Sequence, residues 1–204
     1  MNIITISREF GSGGRELGKR LADLLGYSYY DREIISKLAE KHNFDENYIE
    51  NVLEGGMTFN VPITYGRTFS YTDATGQQAI ELLSSQYRLL RELAEKGNCV
   101  IVGRCANVIL EDFRPLDIFV YADLQSKIDR CRERAPKDEN IKDSELKRRI
   151  RQIDANRAKQ QRFMSDKKWG AKEGYHLCVN TSGLEIKTLA PVIADYAKSY
   201  FDNR

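Results

Sequence analysis

Short apolar runs alternate with helical stretches along the whole chain, and this alternation limits the fold more than any other feature. Asn2-Ile3-Ile4-Thr5-Ile6-Ser7 is β-branched and apolar, the pattern of a buried strand. Leu17, Leu21, Leu24 and Leu25 then recur at helical spacing, and Gly26 closes that helix. Tyr27 to Tyr30 reads as a second strand, followed by helices over about 32–42 and 45–53. A helical pattern over about 77–95 leads into Cys99-Val100-Ile101-Val102, a fully apolar strand. Asp117 to Tyr121 and Tyr175 to Asn180 read as further strands. Helices are expected over about 124–134, 144–163 and 186–200. Apolar strands separated by helices predict a parallel sheet covered on both faces. Ligands of such sheets bind beyond the carboxyl ends of the strands. The groups at those ends are Ser7-Arg8, Asp31-Arg32, Gly103-Arg104 and Asn180-Thr181.

Between the first strand and the first helix lies Arg8-Glu9-Phe10-Gly11-Ser12-Gly13-Gly14-Arg15-Glu16. Glycines there let backbone N–H groups turn toward one point, and the helix start adds a partial positive charge. This is the place for a phosphate-binding loop; a tight turn without ligand is the alternative. Gly55 to Gly76 differs in texture, with five glycines or prolines among Phe59, Tyr65, Phe69 and Tyr71. It reads as a long loop, either functional or an aromatic flap packed on the surface or on a second subunit.

The 204 residues suit one domain, 1–204, and 41% apolar with 30% charged residues reads as soluble and globular. No apolar run reaches the length of a membrane span, and the N-terminus lacks the pattern of a secretory signal. Four cysteines without C-x-x-C spacing and two histidines argue against zinc and for a reduced, cytoplasmic protein, with Cys99 and Cys178 as core residues. The net charge of +2 hides an asymmetry: residues 127–168 hold 15 Lys or Arg against 8 Asp or Glu. Such a stretch suits a polyphosphate, a nucleic acid, or simply a solvated helical face.

The order ISREFGSGGRELGKRLADLLG, YYDREII, VIVGR, DIFVYAD, DANR and CVNTSGLEI resembles the cytidylate kinase-like group of P-loop nucleoside monophosphate kinases over nearly the whole chain. The resemblance implies a three-layer P-loop fold with a five-stranded parallel sheet flanked by helices. It also implies an acceptor-binding insertion at about 32–78 and an arginine-rich lid at about 136–172. The implied reaction moves the γ-phosphoryl of ATP to a nucleoside monophosphate, with Mg²⁺.

Three places depart from or refine that pattern. The standard loop reads G-x-x-x-x-G-K-[ST]. Arg8 stands at its first glycine, Gly13 at its second, Gly14 at the lysine and Arg15 at the Mg²⁺-binding hydroxyl. The lysine normally serves the β- and γ-phosphates, so another cation must replace it. Arg15 is the nearest candidate, Arg8 the next, and Lys19 is further away. Gly11, Ser12, Gly13 and Gly14 are the expected cradle, and Glu16 is either a Mg²⁺ ligand or a first-turn acid favoured by the helix dipole. At the third strand, Arg104 is expected to bind the acceptor phosphate. Cys105 stands where cytidylate kinases carry an aspartate that recognises cytosine, and a thiol cannot replace it. In the lid, Asp154-x-x-Arg157 matches the family's D-x-x-R, with Asp154 orienting Arg157 and with Arg148 and Arg151 near the same side.

Asp31 and Arg32 are expected near the acceptor, Asp31 alternatively capping the next helix; Asn180 and Thr181 are expected to border the adenine. The leading expectation is therefore a phosphotransferase with small nucleotide substrates and a possible homodimer. A nucleotide sensor without turnover is the alternative, motivated by the missing lysine. A nucleic-acid module using residues 127–168 comes last, because the rest of the chain is net acidic.

Overall fold

A computed structural model describes residues 1–49, 74–136 and 141–204. Its strands are β1 (Ile3–Arg8), β2 (Ser28–Tyr30), β3 (Cys99–Val102), β4 (Leu116–Tyr121) and β5 (Leu177–Asn180). Its helices are α1 (Gly14–Leu25), α2 (Glu33–His42), α3 (Ala74–Glu95), α4 (Ala106–Ile109), α5 (Leu124–Arg134), α6 (Asp143–Met164) and α7 (Ile186–Asp202). The aromatic loop expected at 55–76, and most of the helix expected at 45–53, lie outside the described residues; only 46–49 is seen, as a helical turn.

The strands form one parallel sheet in the order β2-β3-β1-β4-β5. Burial explains the composition. All six residues of β1 and all four of β3 are buried, because helices cover both faces. Ile3, Cys99 and Ile101 face the layer of α2, α3 and α4, with Leu38, Leu82, Leu90 and Leu93. Ile4, Ile6, Val100 and Val102 face the other layer, with Leu17 and Leu21 of α1 and Ile193 and Ala197 of α7. The period-two alternation therefore divides one apolar run between two cores. A third, small cluster of Ile128, Leu146 and Ile150 joins α5 to α6.

Local signals set the boundaries. Gly26 ends α1 in a left-handed conformation (φ 68°), its N–H donating to Ala22 O. Asp123 caps α5 by accepting from the Ser126 N–H. The expected capping role of Asp31 is not what the structure shows: Arg32 holds the N-cap position of α2, and the Asp31 carboxylate turns elsewhere. Cys99 is core, whereas Cys178 is only half-buried. Among the described residues, no helix is long and apolar enough to cross a membrane.

Candidate active site

The loop Glu9–Gly13 leaves β1 and turns into α1 at the carboxyl edge of the sheet. Gly11 (φ 76°) and Gly13 (φ 84°) take the left-handed conformation that makes the turn. A side chain at Gly13 would also collide with Ile186 of α7, its Cβ only 2.6 Å from Cδ1. The loop is tied down from three sides. Glu9 N–H donates to Val120 O at 2.9 Å. Ser12 Oγ donates to Glu9 O at 2.9 Å. The buried Thr181 hydroxyl donates to Ser12 O at 2.7 Å and accepts from Arg130 at 3.2 Å.

A cleft of about 800 Å³ opens over this loop, walled by the end of α5 and by α6. Seven arginines line it, at 8, 15, 130, 132, 134, 149 and 157, against Glu9 and Glu133. Such an excess of guanidinium groups suits a polyphosphate, since arginine pairs with phosphate through two parallel donors.

A buried lysine fixes the cleft's floor to its wall. Lys127 of α5 contacts Glu9 Oε2 at 2.6 Å and Asp154 Oδ2 at 3.2 Å. Asp154 in turn accepts from the Phe10 N–H at 2.7 Å. Burial raises the Asp154 carboxyl above its usual range, and the Phe10 N–H and Lys127 work against that rise. One turn on, Arg157 donates to Arg8 O at 3.1 Å and lies 3.9 Å from Asp154.

Behind the loop, between the ends of β1 and β3, sits a second, polar pocket of about 20 Å³. Arg8, Arg104, Arg157, Gln160, Gln161 and Trp169 are among its walls. Its rim is made by three successive left-handed residues, Gly103 (φ 77°), Arg104 (φ 61°) and Cys105 (φ 53°). Two of these are not glycine, and a non-glycine residue there costs about 1–2 kcal/mol. Strain of this kind is concentrated where function needs an unusual backbone. The Arg8 guanidinium lies across Gly103 and reaches Asp31 at 3.9 Å; Arg15 reaches the same carboxylate at 2.5 Å. The Cys105 thiol, buried, is pushed up to about 12 and stays neutral.

A model of the cytidylate kinase-like family matches residues 3–183. The chain belongs to the cytidylate kinase-like family. That membership supports a phosphotransferase acting on a nucleotide or other small substrate. No functionally curated protein matches it. Among solved structures, an uncharacterized protein from Eubacterium ventriosum is similar at 24% identity, covering 98% of this chain and 99% of its own, with a TM-score of 0.70. A shikimate kinase from Bacteroides thetaiotaomicron (16% identity, 97% and 98% covered, TM-score 0.59) shares the fold. So does a deoxyadenosine kinase from M. mycoides with bound dATP (11%, 96% and 99%, 0.51).

Within this cytidylate kinase-like chain, seven of the expected residues line the two pockets. Arg8, Gly11, Gly13, Gly14, Arg15 and Arg157 line the large cleft, and Arg104 lines the small pocket. Others do not. Ser12 is fully buried and spends its hydroxyl on Glu9 O. Glu16 is held by Arg20 at 2.9 Å and by Arg134 at 2.5 Å. Arg32 and Arg151 are exposed and line neither pocket. Asn180 is exposed and accepts from Ser182, whereas Thr181 braces the loop from beneath. Sequence reasoning missed Lys127, Arg130 and Glu9. Lys127 and Arg130 sat inside the positive stretch, three residues apart on one helix, with nothing to show that both turn inward.

Proposed function

We propose that this protein transfers the γ-phosphoryl of ATP to a nucleoside monophosphate or a related small anionic acceptor. The observation that carries the reading is that the cationic cleft over the glycine loop and the polar pocket behind it adjoin, with Arg8 and Arg157 bordering both. A donor polyphosphate suits the first; the second, with room for about one water-sized group, takes an acceptor phosphate oxygen against Arg104 rather than the whole acceptor. In the reaction an acceptor phosphate oxygen bonds to Pγ as the Pγ–O bond to ADP breaks, and ADP leaves with the electron pair. A dianionic phosphate acceptor has no proton to lose, so no general base is required. Positioning and electrostatic stabilisation of the spreading charge make up the catalysis. Arg149 and Arg157 supply cations around the transferring group, and Arg15 lines the donor cleft. Asp31 holds Arg15 and Arg8 in place.

Arg104 suits the acceptor's phosphate. The neutral Cys105 thiol supplies no carboxylate for a cytosine ring, so the acceptor is not restricted to cytidine nucleotides. The donor's adenine lies toward Arg130, which lines the cleft; Thr181 is fully buried beneath the loop and does not reach it.

The carboxylates at the glycine loop are taken by cations rather than open to Mg²⁺. Mg²⁺ in such enzymes takes one or two carboxylates besides the phosphates. Here Glu9 is engaged by Lys127, Glu16 by Arg20 and Arg134, and Asp31 by Arg15 and Arg8. The inward turn of the positive stretch favours a small polyphosphate over a nucleic-acid surface. Four free thiols suit a cytoplasmic setting. A homodimer through residues 55–76 lies outside the described residues.

The test is ADP release with Mg·ATP against a panel of nucleoside monophosphates, with calorimetric ATP binding alongside. Acceptor-dependent release is expected. Binding without release for every acceptor would replace the kinase reading with that of a nucleotide sensor.

A further inference from the structure

Arg8 and Gly14 occupy the first-glycine and lysine positions of the standard phosphate loop, and they touch. A Cβ built on Gly14 would stand 2.6 Å from Arg8 Cβ and 3.1 Å from Arg8 Cγ. No lysine fits at position 14 while Arg8 is present. The side chain that rises from this spot is Arg8's own. It runs from the carboxyl end of β1 over Gly14 and ends on Gly103, where an added Cβ would fall 1.6 Å from Nη1. Glycine at 14 and glycine at 103 therefore form the bed on which one guanidinium lies.

From these contacts, and on the kinase reading above, we propose that Arg8 is the cation on the transferring phosphoryl group, in the place left by the loop lysine. Arginine and glycine have exchanged positions across the loop, and the charge has kept its location. Two observations favour Arg8 over Arg15. Arg8 borders both pockets, whereas Arg15 lines only the large cleft. A group in transit between donor and acceptor passes the residues that border both. Also, the Arg8 side chain is 8% exposed and that of Arg15 49%. A charge in a water-poor site acts more strongly on a developing negative charge. Asp31, between the two, orients both guanidinium groups.

Four proteins test the proposal: wild type, Arg8→Met, Arg15→Met and the exchange Arg8→Gly/Gly14→Lys. Each is assayed for turnover and, by calorimetry, for binding of ADP and of a non-hydrolysable ATP analogue. Arg8→Met should lose about 100-fold or more in kcat, the scale of one removed charge-stabilising group. It should also lose the wild type's preference for the analogue over ADP. Arg15→Met should lose less than about tenfold, and the exchange should regain at least about tenfold over Arg8→Met. The proposal is overturned if Arg8→Met turns over and prefers the analogue as the wild type does, if the wild type binds ADP and the analogue alike, or if a folded exchange variant regains nothing. Should the wild type turn over no acceptor, the kinase reading falls, and the binding preference alone decides Arg8. Should Arg8→Met unfold, Arg8→Lys carries the comparison: it keeps the charge beside Asp31 but loses the planar fork. It should then lose the analogue preference in part and at least about tenfold in kcat; wild-type values in Arg8→Lys would overturn the proposal.

Discussion

Replacing Asp117 by asparagine should stabilise the protein at and above neutral pH. Asp117 lies on β4 with its carboxylate accepting from the Thr5 hydroxyl, at the amino end of the sheet and far from the glycine loop. Burial pushes its carboxyl from the ordinary 3.8 up to about 7; the Thr5 hydroxyl and Lys167 oppose the rise, and Glu111 adds to it. His176 faces it with Nδ1 3.9 Å from Oδ2, and burial lowers that imidazole's own value, so it adds little charge at neutral pH. A folded-state value above the unfolded one means that the folded chain keeps a proton the unfolded chain has lost. Stability is then complete below about pH 4 and falls as pH rises to about 7. At about 1.4 kcal/mol per pH unit, the loss amounts to about 4 kcal/mol. Asparagine does not titrate, and its amide oxygen still accepts from Thr5. Asp117→Asn should therefore gain about 2–4 kcal/mol at pH 8 and little at pH 4. For a chain of this size that is a rise of about 5–15 °C in Tm at pH 8. Thermal and urea unfolding of both proteins at pH 4, 6 and 8 provide the measurement. A gain that is the same at pH 4 and pH 8, or no gain at pH 8, would refute the reasoning.

Two further outcomes are expected. Lys127→Met leaves Glu9 and Asp154 as partly buried carboxylates without their shared cation, a change that costs about 3–5 kcal/mol; its melting temperature at pH 7.5 should fall, and part of the loss should return as pH is lowered and Asp154, already raised by burial, takes a proton. A Tm within about 2 °C of wild type would show that Lys127 does not fasten α5 to the loop. Gly103→Ala meets both a left-handed backbone, at about 1–2 kcal/mol, and the Arg8 guanidinium; it should melt only a few degrees lower yet lose turnover by more than tenfold, and equal, modest losses in both would separate Gly103 from the chemistry.

The fold was legible because its signals are local. Each strand is a short apolar run that must be buried on both faces, and the glycine or polar residues beside it mark where the chain leaves the sheet. β3 is found as Cys99–Val102 and α5 as Leu124–Arg134, both as expected from periodicity alone. β5 is shorter than its apolar run, since it begins at Leu177; the residues before it still approach the sheet, with His176 N–H donating to Asp117 O at 2.9 Å. What was not legible depends on pairs far apart in sequence. Lys127 reads as one more charge on a solvated helix until α5 is laid beside the loop, because Glu9 lies 118 positions away.

The phase of α6 shows how a correct motif can still misplace its neighbours. Asp154 and Arg157, three apart, do share a face, as the D-x-x-R spacing requires. Extending the same step back to Arg151 and Arg148 fails. A helix turns about 100° per residue, so each step of three falls about 60° short of a full turn. Two steps carry Arg151 about 120° away from Arg157, and three carry Arg148 to the opposite side. The buried positions Leu146 and Ile150 fix which side faces inward; Arg149 and Arg151 are both exposed, but Arg149 lines the cleft beside those positions and Arg151 does not. Apolar positions, not the spacing of the charges, decide which arginines of α6 line the cleft. The same holds in the glycine loop: the missing lysine is visible in the sequence, but its replacement depends on which side chain occupies the space above Gly14.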